Sequence, residues 1–188
     1  MCIANVLMDF WPQINSWFFN SVHRMYDEDA VIKIPKITSL LVHQTLENIQ
    51  YALTVHQETL GEYLPKTEIL PMKGAPLWYI FKQKYIQGTR LTTADCKEDA
   101  NIAYDLVSLL AAWEYMETKY KLYFDIYGME EAIKNVGRLA VGKDLVFGNI
   151  IVDNHKKLHY IDVGYIRTDQ IWFANPILTQ LMHTLWGI

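Results

Sequence analysis

The first half of the chain contains short apolar runs that stop at turn residues, which is the pattern of β-strands. The run AVIKI, from Ala30 to Ile34, ends at Pro35 and predicts a strand that carries one lysine. Residues 67–70 and 77–86 are rich in branched and aromatic side chains and are separated by a turn with Pro and Gly. They predict a second pair of strands, which Gly88 closes.

Three longer stretches predict helices. Ser39 to Leu60 contains neither Pro nor Gly, has recurring apolar residues, and lies between a plausible N-cap at Thr38 and a stop at Gly61. The stretch from about Asp95 to Tyr123 is too apolar for a free surface helix and predicts a core helix. Met129 to Leu139 predicts a third helix.

Near the end of the chain the pattern returns to strands. The segments DLVFGNIIV, residues 144–152, and KLHYIDVG, residues 157–164, flank a polar turn at residues 153–156. This arrangement predicts a β-hairpin. The order of strands, helices and a late hairpin indicates an α+β protein, and 188 residues fit one domain.

Composition and charge narrow the function classes. Seventeen Lys and Arg against 21 Asp and Glu give a formal charge of -4, without a basic block, which argues against nucleic acid as the main partner. No run reaches the roughly 18 uninterrupted apolar residues of a membrane span. Met1 to Phe19 lacks the cationic region of an export signal, so a cytoplasmic location is expected. Neither the two Cys nor the six His show a metal-ligand spacing.

Three polar residues near the predicted hairpin are candidates for binding a metal and phosphates. Asp144 and Asn149 are five residues apart (149 minus 144), and Asp162 follows Asn149 by thirteen (162 minus 149). A hairpin of this length brings Asn149 and Asp162 side by side. A carboxylate and an amide oxygen are ligands that suit Mg²⁺, the cation that accompanies ATP in phosphoryl transfer.

These motifs resemble those of the protein-kinase-like superfamily. Asp144 to Asn149 is similar to D-L-x-x-x-N, Asp162-Val163-Gly164 to D-F-G, and Val31-Ile32-Lys33 to the V-A-I-K strand. The resemblance implies an α+β, bilobal kinase-like fold in a single domain, residues 1–188. The N-lobe would be small and strand-rich (about 1–87), the hinge would span about 84–89, and the C-lobe would be truncated and mainly helical (about 89–188).

The resemblance also implies a role for each matching residue. Asp144 would orient or deprotonate the acceptor hydroxyl, and Asn149 and Asp162 would hold Mg²⁺. Lys33 would contact the phosphates of ATP. Glu47, fourteen residues further on (47 minus 33), would orient Lys33 from the following helix, with Glu58 and Glu62 farther along as alternatives.

Adenine and the outer phosphates have candidate contacts as well. The segment FKQKYIQG resembles the strand and hinge of kinases, and Lys84 and Ile86 are the implied adenine-binding positions. The phosphate-covering loop would lie between about residues 15 and 22, where no glycine is present. Its backbone therefore cannot approach phosphates closely, and the side chains of Ser16, Asn20 and Ser21 would substitute.

Several positions depart from the protein-kinase pattern. Gly142 and Lys143 replace the usual His and Arg, Val146 stands where many protein kinases keep a lysine, and Val163 replaces Phe. Aminoglycoside, choline and lipopolysaccharide-core sugar kinases share such departures. Only twenty-four residues follow Gly164 (188 minus 164), which leaves little chain to enclose a compact substrate and favours a protein acceptor.

The expected function is an ATP- and Mg²⁺-dependent phosphotransferase acting on a hydroxyl, with Ser or Thr of a protein preferred. A sugar- or aminoglycoside-type kinase is one alternative, and a pseudokinase that binds nucleotide or a partner is another. Taken singly, Asp144 and Asn149 are also ordinary turn-forming residues, and Lys33 is an ordinary edge-strand lysine.

Overall fold

The computed structural model describes residues 21–34, 46–71, 79–122 and 125–163 of the chain. This part is α+β, as predicted, and contains seven strands, four α-helices and two short 3-10 helices, Tyr26–Glu28 and Gly61–Tyr63. The strands are β1 Ser21–Met25, β2 Ala30–Ile34, β3 Thr67–Pro71, β4 Tyr79–Lys84, β5 Gly88–Thr92, β6 Val146–Asp153 and β7 Leu158–Tyr160. The helices are α1 Leu46–Leu60, α2 Thr93–Glu98, α3 Ala100–Tyr120 and α4 Met129–Ala140.

The first sheet has four antiparallel strands in the order β1-β2-β4-β3. Strand β2 has the bounds that its AVIKI pattern predicts. Both strands of the predicted second pair are present as β3 and β4, with residues 72–78 outside the described ranges. In β4 the side chains of Tyr79, Phe81 and Gln83 are buried, and those between them are not. This alternation shows that one face of the sheet covers the core.

Gly88 does not close the second strand pair. It is the first residue of β5 and pairs with Asp153 of β6, so the chain continues directly into a second sheet. This sheet has the order β5-β6-β7 and is antiparallel. The predicted hairpin is confirmed, because β6 and β7 pair through Ile150 and Tyr160 around the turn that follows Asp153.

The predicted helix from Asp95 to Tyr123 is two helices. A reciprocal capping box of Thr92 and Asp95 starts α2 two residues earlier than predicted. Asp99 then adopts an extended backbone (φ -133°, ψ 111°), and its carboxylate accepts a hydrogen bond from the amide of Asn101 at 3.0 Å. Asp99 therefore caps α3 and interrupts the helical run, which apolar periodicity alone does not reveal.

The other predicted helices are present. Helix α1 ends at Leu60, directly before Gly61, as predicted, while the start predicted at Ser39 lies outside the described residues. Helix α4 begins at Met129, as predicted, and ends one residue later than expected.

One continuous apolar core joins both sheets to the helices. Tyr79 and Phe81 enter it from the first sheet, Phe147 and Ile150 from the second, and Ile49 from α1. Burying a side chain of this size contributes roughly 1.5–3 kcal/mol, so the cluster fixes the two sheets against the helices. None of the helices between residues 46 and 140 that the structure describes has the length and apolar character needed to cross a membrane.

Candidate functional site

Strand β6 contains a large bulge centred on Asn149. Leu91 of β5 pairs with Phe147, but the preceding residue, Arg90, pairs with Ile151. Residues 148–150 therefore have no partner on β5. A bulge bends its strand and redirects the side chains within it, and bulges are common beside active sites. The first two residues of the D-L-x-x-x-N segment thus precede β6, the next two pair with β5, and the last two lie in the bulge.

The segment that precedes α4 holds the bulge in place. The amide of Gly148 donates to the carbonyl of Tyr127 at 3.0 Å, and the amide of Asn149 donates to the carbonyl of Ile126 at 3.1 Å. A Cβ atom added to Gly148 would lie 2.2 Å from the Tyr127 oxygen, which is too close for any side chain. Glycine at this position allows the backbone approach that shapes the bulge.

The side chain of Asn149 is fixed in orientation. Its Nδ2 donates to the carbonyl oxygen of Asp125 at 2.7 Å and lies 3.5 Å from Oδ2 of Asp162. The amide of Ile161 donates to the Asn149 carbonyl at 2.9 Å, which holds the two strands together beside this contact. Because Nδ2 is engaged, Oδ1 is the atom of the amide that can bind a cation.

Lys33 reaches this site from the first sheet. Its ammonium group donates to the carbonyl oxygen of Ile161, the residue before Asp162. Burial lowers the pKa of Lys33, and the nearby Asp162 carboxylate opposes that change. The structure therefore brings together three residues that the sequence analysis selected, Lys33, Asn149 and Asp162.

Asp125 belongs to the same site and was missed by the sequence analysis. Its Oδ1 accepts a hydrogen bond from the amide of Gly128 at 2.8 Å, which is typical of an Asp that starts a turn. Burial, and then the charge of Asp162, raise the pKa of Asp125 to about 7. The spacing of Asp125 and Gly128 is a turn signal, but nothing local connects that turn with a hairpin more than twenty residues away.

The donor set fits a hard cation. Within the described ranges there is no group of three or more His, Cys, Asp or Glu side chains suited to a metal. Mg²⁺, however, is commonly held by one or two carboxylates together with substrate phosphates and water. The Asp162 carboxylate and Oδ1 of Asn149 supply oxygen ligands of the required kind. The carboxylate of Asp125, close enough to feel the charge of Asp162, adds to the preference for a positive ion.

Asp144 lies apart from these residues, before the start of β6. One of its oxygens, Oδ1, accepts hydrogen bonds from Thr93 Oγ1 at 2.8 Å and from Lys97 Nζ at 2.7 Å. Lys97, and then Thr93, lower the pKa of Asp144, so this carboxylate is ionised at neutral pH. Asp144 precedes Phe147 by three residues, or about 10 Å of extended chain.

The remaining predicted residues lie at the edges of the site or beyond it. Glu47 is exposed in the first turn of α1, and no ion pair joins it to Lys33 among the described residues. The amide of Lys84 donates to the carbonyl of Lys66 at 2.8 Å and is thereby occupied. In the described part of the chain, neither backbone group of Ile86 pairs with another backbone group.

Of the three side-chain positions predicted to contact phosphates, the structure describes only Ser21, and Ser16 lies outside the described residues. Asn20 lies outside the described residues, and Ser21 is the first residue of β1, where it pairs with Ile34. The third position of the D-x-G motif, Gly164, also lies outside the described residues.

The described arrangement combines the ammonium group of Lys33 with oxygen atoms of Asn149 and Asp162 that can serve as cation ligands. Such a set can bind a phosphate-bearing ligand together with a divalent cation. Comparisons of the chain with protein-family models, with curated proteins and with solved structures found no match.

Proposed function

We propose that this protein is an ATP- and Mg²⁺-dependent phosphotransferase with a bilobal, protein-kinase-like architecture. It moves the γ-phosphate to a hydroxyl group, with Ser or Thr of a protein as the first candidate acceptor. The proposal is supported by one observation above all. Asn149 and Asp162 meet at 3.5 Å on a bulge and a hairpin, and Lys33 reaches the same point from the other sheet.

Three residues would bind Mg²⁺ and the phosphates of ATP. Asn149 and Asp162 would hold Mg²⁺, which when bound neutralises phosphate charge. Lys33 would exchange the neutral carbonyl of Ile161 for a phosphate oxygen, because a charge-assisted hydrogen bond is the stronger one. The lowered pKa of Lys33 reflects a burial cost that a bound polyphosphate offsets.

Asp144 would act on the acceptor. The acceptor oxygen forms a bond to the γ-phosphorus while the bond from that phosphorus to the β–γ bridging oxygen breaks, and ADP leaves with the electron pair. The proton of the hydroxyl passes to the Asp144 carboxylate and then to water. Because the pKa of Asp144 is low, its main contribution is to orient the hydroxyl through an accepted hydrogen bond.

Incubation with γ-labelled ATP and Mg²⁺ tests the proposal directly. The native chain is compared with Asp162→Ala and Asp144→Ala, and Asp27→Ala serves as a matched control because Asp27 is exposed in the short 3-10 helix between β1 and β2. We expect label transfer to fall by about 10²-fold or more in the first two variants and to persist in the control. Equal transfer in all four chains, or no transfer and no nucleotide binding by the native chain, contradicts the proposal.

The same experiment identifies the acceptor class. Label that precipitates with a supplied protein, or with the chain itself, supports the Ser/Thr acceptor. Label that appears in small acid-soluble hydroxyl compounds, such as a sugar or an aminoglycoside, supports the small-molecule kinase instead. In both cases the signal must disappear in Asp162→Ala.

A second candidate is a nucleotide-binding module without turnover. One observation favours it: Glu47 is exposed in the first turn of α1, and among the described residues no ion pair joins it to Lys33. Thermal stabilisation by ATP and Mg²⁺ without any label transfer would select this function. Loss of that stabilisation in Asp162→Ala would locate the nucleotide at the same site.

A further inference from the structure

Thr93 makes three hydrogen bonds to the two residues that precede β6. Its amide donates to the carbonyl of Leu145 at 3.0 Å, and its hydroxyl accepts from the amide of Leu145 at 3.0 Å. The same hydroxyl donates to Oδ1 of Asp144 at 2.8 Å. The side chain of Thr93 is buried. Thr93 therefore fixes both the backbone and the carboxylate of this segment.

The start of α2 is itself rigidly fixed. The Thr92 hydroxyl accepts from the amide of Asp95 at 3.2 Å, and the Asp95 carboxylate accepts from the amide of Thr92 at 2.7 Å. This reciprocal capping box sets the helix directly after β5. Thr93 and Lys97, one helical turn apart, then lie on the same face and reach the same carboxylate.

Both contacts use the same oxygen of Asp144. Thr93 and Lys97 bond to Oδ1, and no group among the described residues bonds to Oδ2. The side chain of Asp144 keeps 44% of its surface exposed, so Oδ2 is available to a ligand. An oriented carboxylate with one occupied and one available oxygen is arranged to accept a hydrogen bond from a hydroxyl group.

We propose that Thr93 and Lys97 are positioning residues that present Oδ2 of Asp144 to the acceptor hydroxyl. The inference rests on the proposed phosphotransferase function and extends it to helix α2. Thr93 sets the direction of the carboxylate, and Lys97 supplies the compensating charge. Among the described residues, no hydrogen bond or ion pair joins Thr93 or Lys97 to Lys33, Asn149 or Asp162, so we expect their replacement to leave nucleotide binding unchanged.

Replacing Thr93 should lower kcat more than replacing Lys97. The bond from Thr93 is buried, and misplacing a reacting group by about 1 Å can cost roughly 10²-fold in rate. The side chain of Lys97 is 74% exposed, and exposed ion pairs are weak. We therefore expect kcat to fall by roughly 10- to 10²-fold in Thr93→Val and by about two- to five-fold in Lys97→Met.

The full-length chain is tested for transfer with saturating γ-labelled ATP and Mg²⁺. Thr93→Val is compared with Thr93→Ser, which keeps the hydroxyl, and with Thr89→Val, an exposed position on the neighbouring strand. We expect kcat to fall in Thr93→Val alone, while KM for ATP and thermal stabilisation by ATP stay at the native values. Native kcat in Thr93→Val, or equal losses in the Ser and Val variants, overturns the inference.

A measurement without turnover keeps the test decisive even if Thr93→Val does not fold. Carbon-detected NMR gives the pKa of the Asp144 carboxyl in the native chain, in Thr93→Ser and in Lys97→Met. We expect this pKa to rise in Lys97→Met and to stay low in Thr93→Ser. An unchanged pKa in Lys97→Met overturns the inference.

The transfer assay separates a failure of the proposed function from a failure of the inference. If the native chain binds ATP but transfers no label, both the proposed function and the inference are wrong. If Lys97→Met and Thr93→Val transfer label as well as the native chain does, only the inference is wrong.

Discussion

The side-chain amide of Asn149 lies 3.5 Å from the carboxylate of Asp162, although thirteen residues separate them in sequence. The contact depends on the backbone, since the amide of Ile161 donates to the Asn149 carbonyl at 2.9 Å and β6 pairs with β7 beyond it. The bulge then lets Asn149 leave the β5 ladder and face Asp162. Backbone changes near Asn149 should therefore affect ligand binding as strongly as changes to the side chain itself.

Gly128→Ala tests this dependence. Gly128 has a φ of +67°, and an added Cβ would lie 3.2 Å from Oδ1 of Asn149, the proposed metal-binding atom. Gly142→Ala is the matched control, because its φ is +66° and nothing lies within 4 Å of an added Cβ. Each substitution should lower the free energy of unfolding by roughly 1–3 kcal/mol through backbone strain.

Only Gly128→Ala should also weaken the binding of ATP and Mg²⁺, measured by calorimetry at a temperature where both variants are folded. Equal affinities in Gly128→Ala and Gly142→Ala would show that Asn149 Oδ1 does not contact the ligand.

Gly148→Ala tests the bulge. The new Cβ would lie 2.2 Å from the carbonyl oxygen of Tyr127, so the bulge and the segment before α4 must separate. We expect the free energy of unfolding in urea to fall by at least about 2 kcal/mol. Gly137→Ala is the control, because Gly137 lies within α4 with nothing near an added Cβ. That substitution should raise stability by about 0.5–1 kcal/mol, and a similar result for Gly148→Ala would refute the close approach.

Elements with local signals could be predicted from the sequence. AVIKI is a short apolar run that stops at a proline, and the hairpin has two apolar runs around a four-residue polar turn, so β2 and the β6–β7 pair follow from pattern alone. The meeting of Asn149 and Asp162 follows in turn, because a hairpin of fixed length brings its two ends together.

Features that depend on distant contacts could not be predicted in this way. The bulge at Asn149 exists because Tyr127 and Ile126 offer carbonyl groups to it, and no residue within β6 indicates those partners. Asp125 also reaches the site through a contact between distant segments, because its carbonyl oxygen accepts a hydrogen bond from Nδ2 of Asn149. The break at Asp99 is a competition between a capping side chain and continued helix, which apolar periodicity does not detect.

Acid should weaken the hairpin through Asp153. Its carboxylate accepts hydrogen bonds from the amides of His155 and Lys157 at 2.8 and 2.9 Å, and it lies 2.9 Å from Nε2 of His159. Burial raises the pKa of Asp153, but these hydrogen bonds outweigh it and lower the pKa overall. A carboxylate with a lowered pKa stabilises the fold above its unfolded pKa of about 3.9, and this stability is lost as pH falls through the folded pKa.

The comparison with Asp153→Asn isolates this contribution. At pH 7 the native chain should exceed the variant by about 1–3 kcal/mol in the free energy of unfolding. The difference should shrink below about pH 4, measured by urea unfolding at a series of pH values. A difference that stays constant down to pH 2 would exclude ionised Asp153 as its source.

Lys33→Met distinguishes the effect of Lys33 on the stability of the fold from its effect on ATP binding. Burial outweighs the attraction of Asp162, so the fold disfavours the charged form of Lys33 when no ligand is present. Because the pKa of Lys33 is lowered overall, the desolvation cost that disappears with the ammonium group exceeds the attraction to Asp162 that is lost with it. We therefore expect the free energy of unfolding without nucleotide to stay level or rise, while thermal stabilisation by ATP and Mg²⁺ is lost.

Lys66→Met is the control for this prediction. The side chain of Lys66 is 80% exposed, so its replacement should change neither the free energy of unfolding nor the stabilisation by ATP. A less stable Lys33→Met variant that still gains native stabilisation from ATP would show that Lys33 supports the fold and not the ligand.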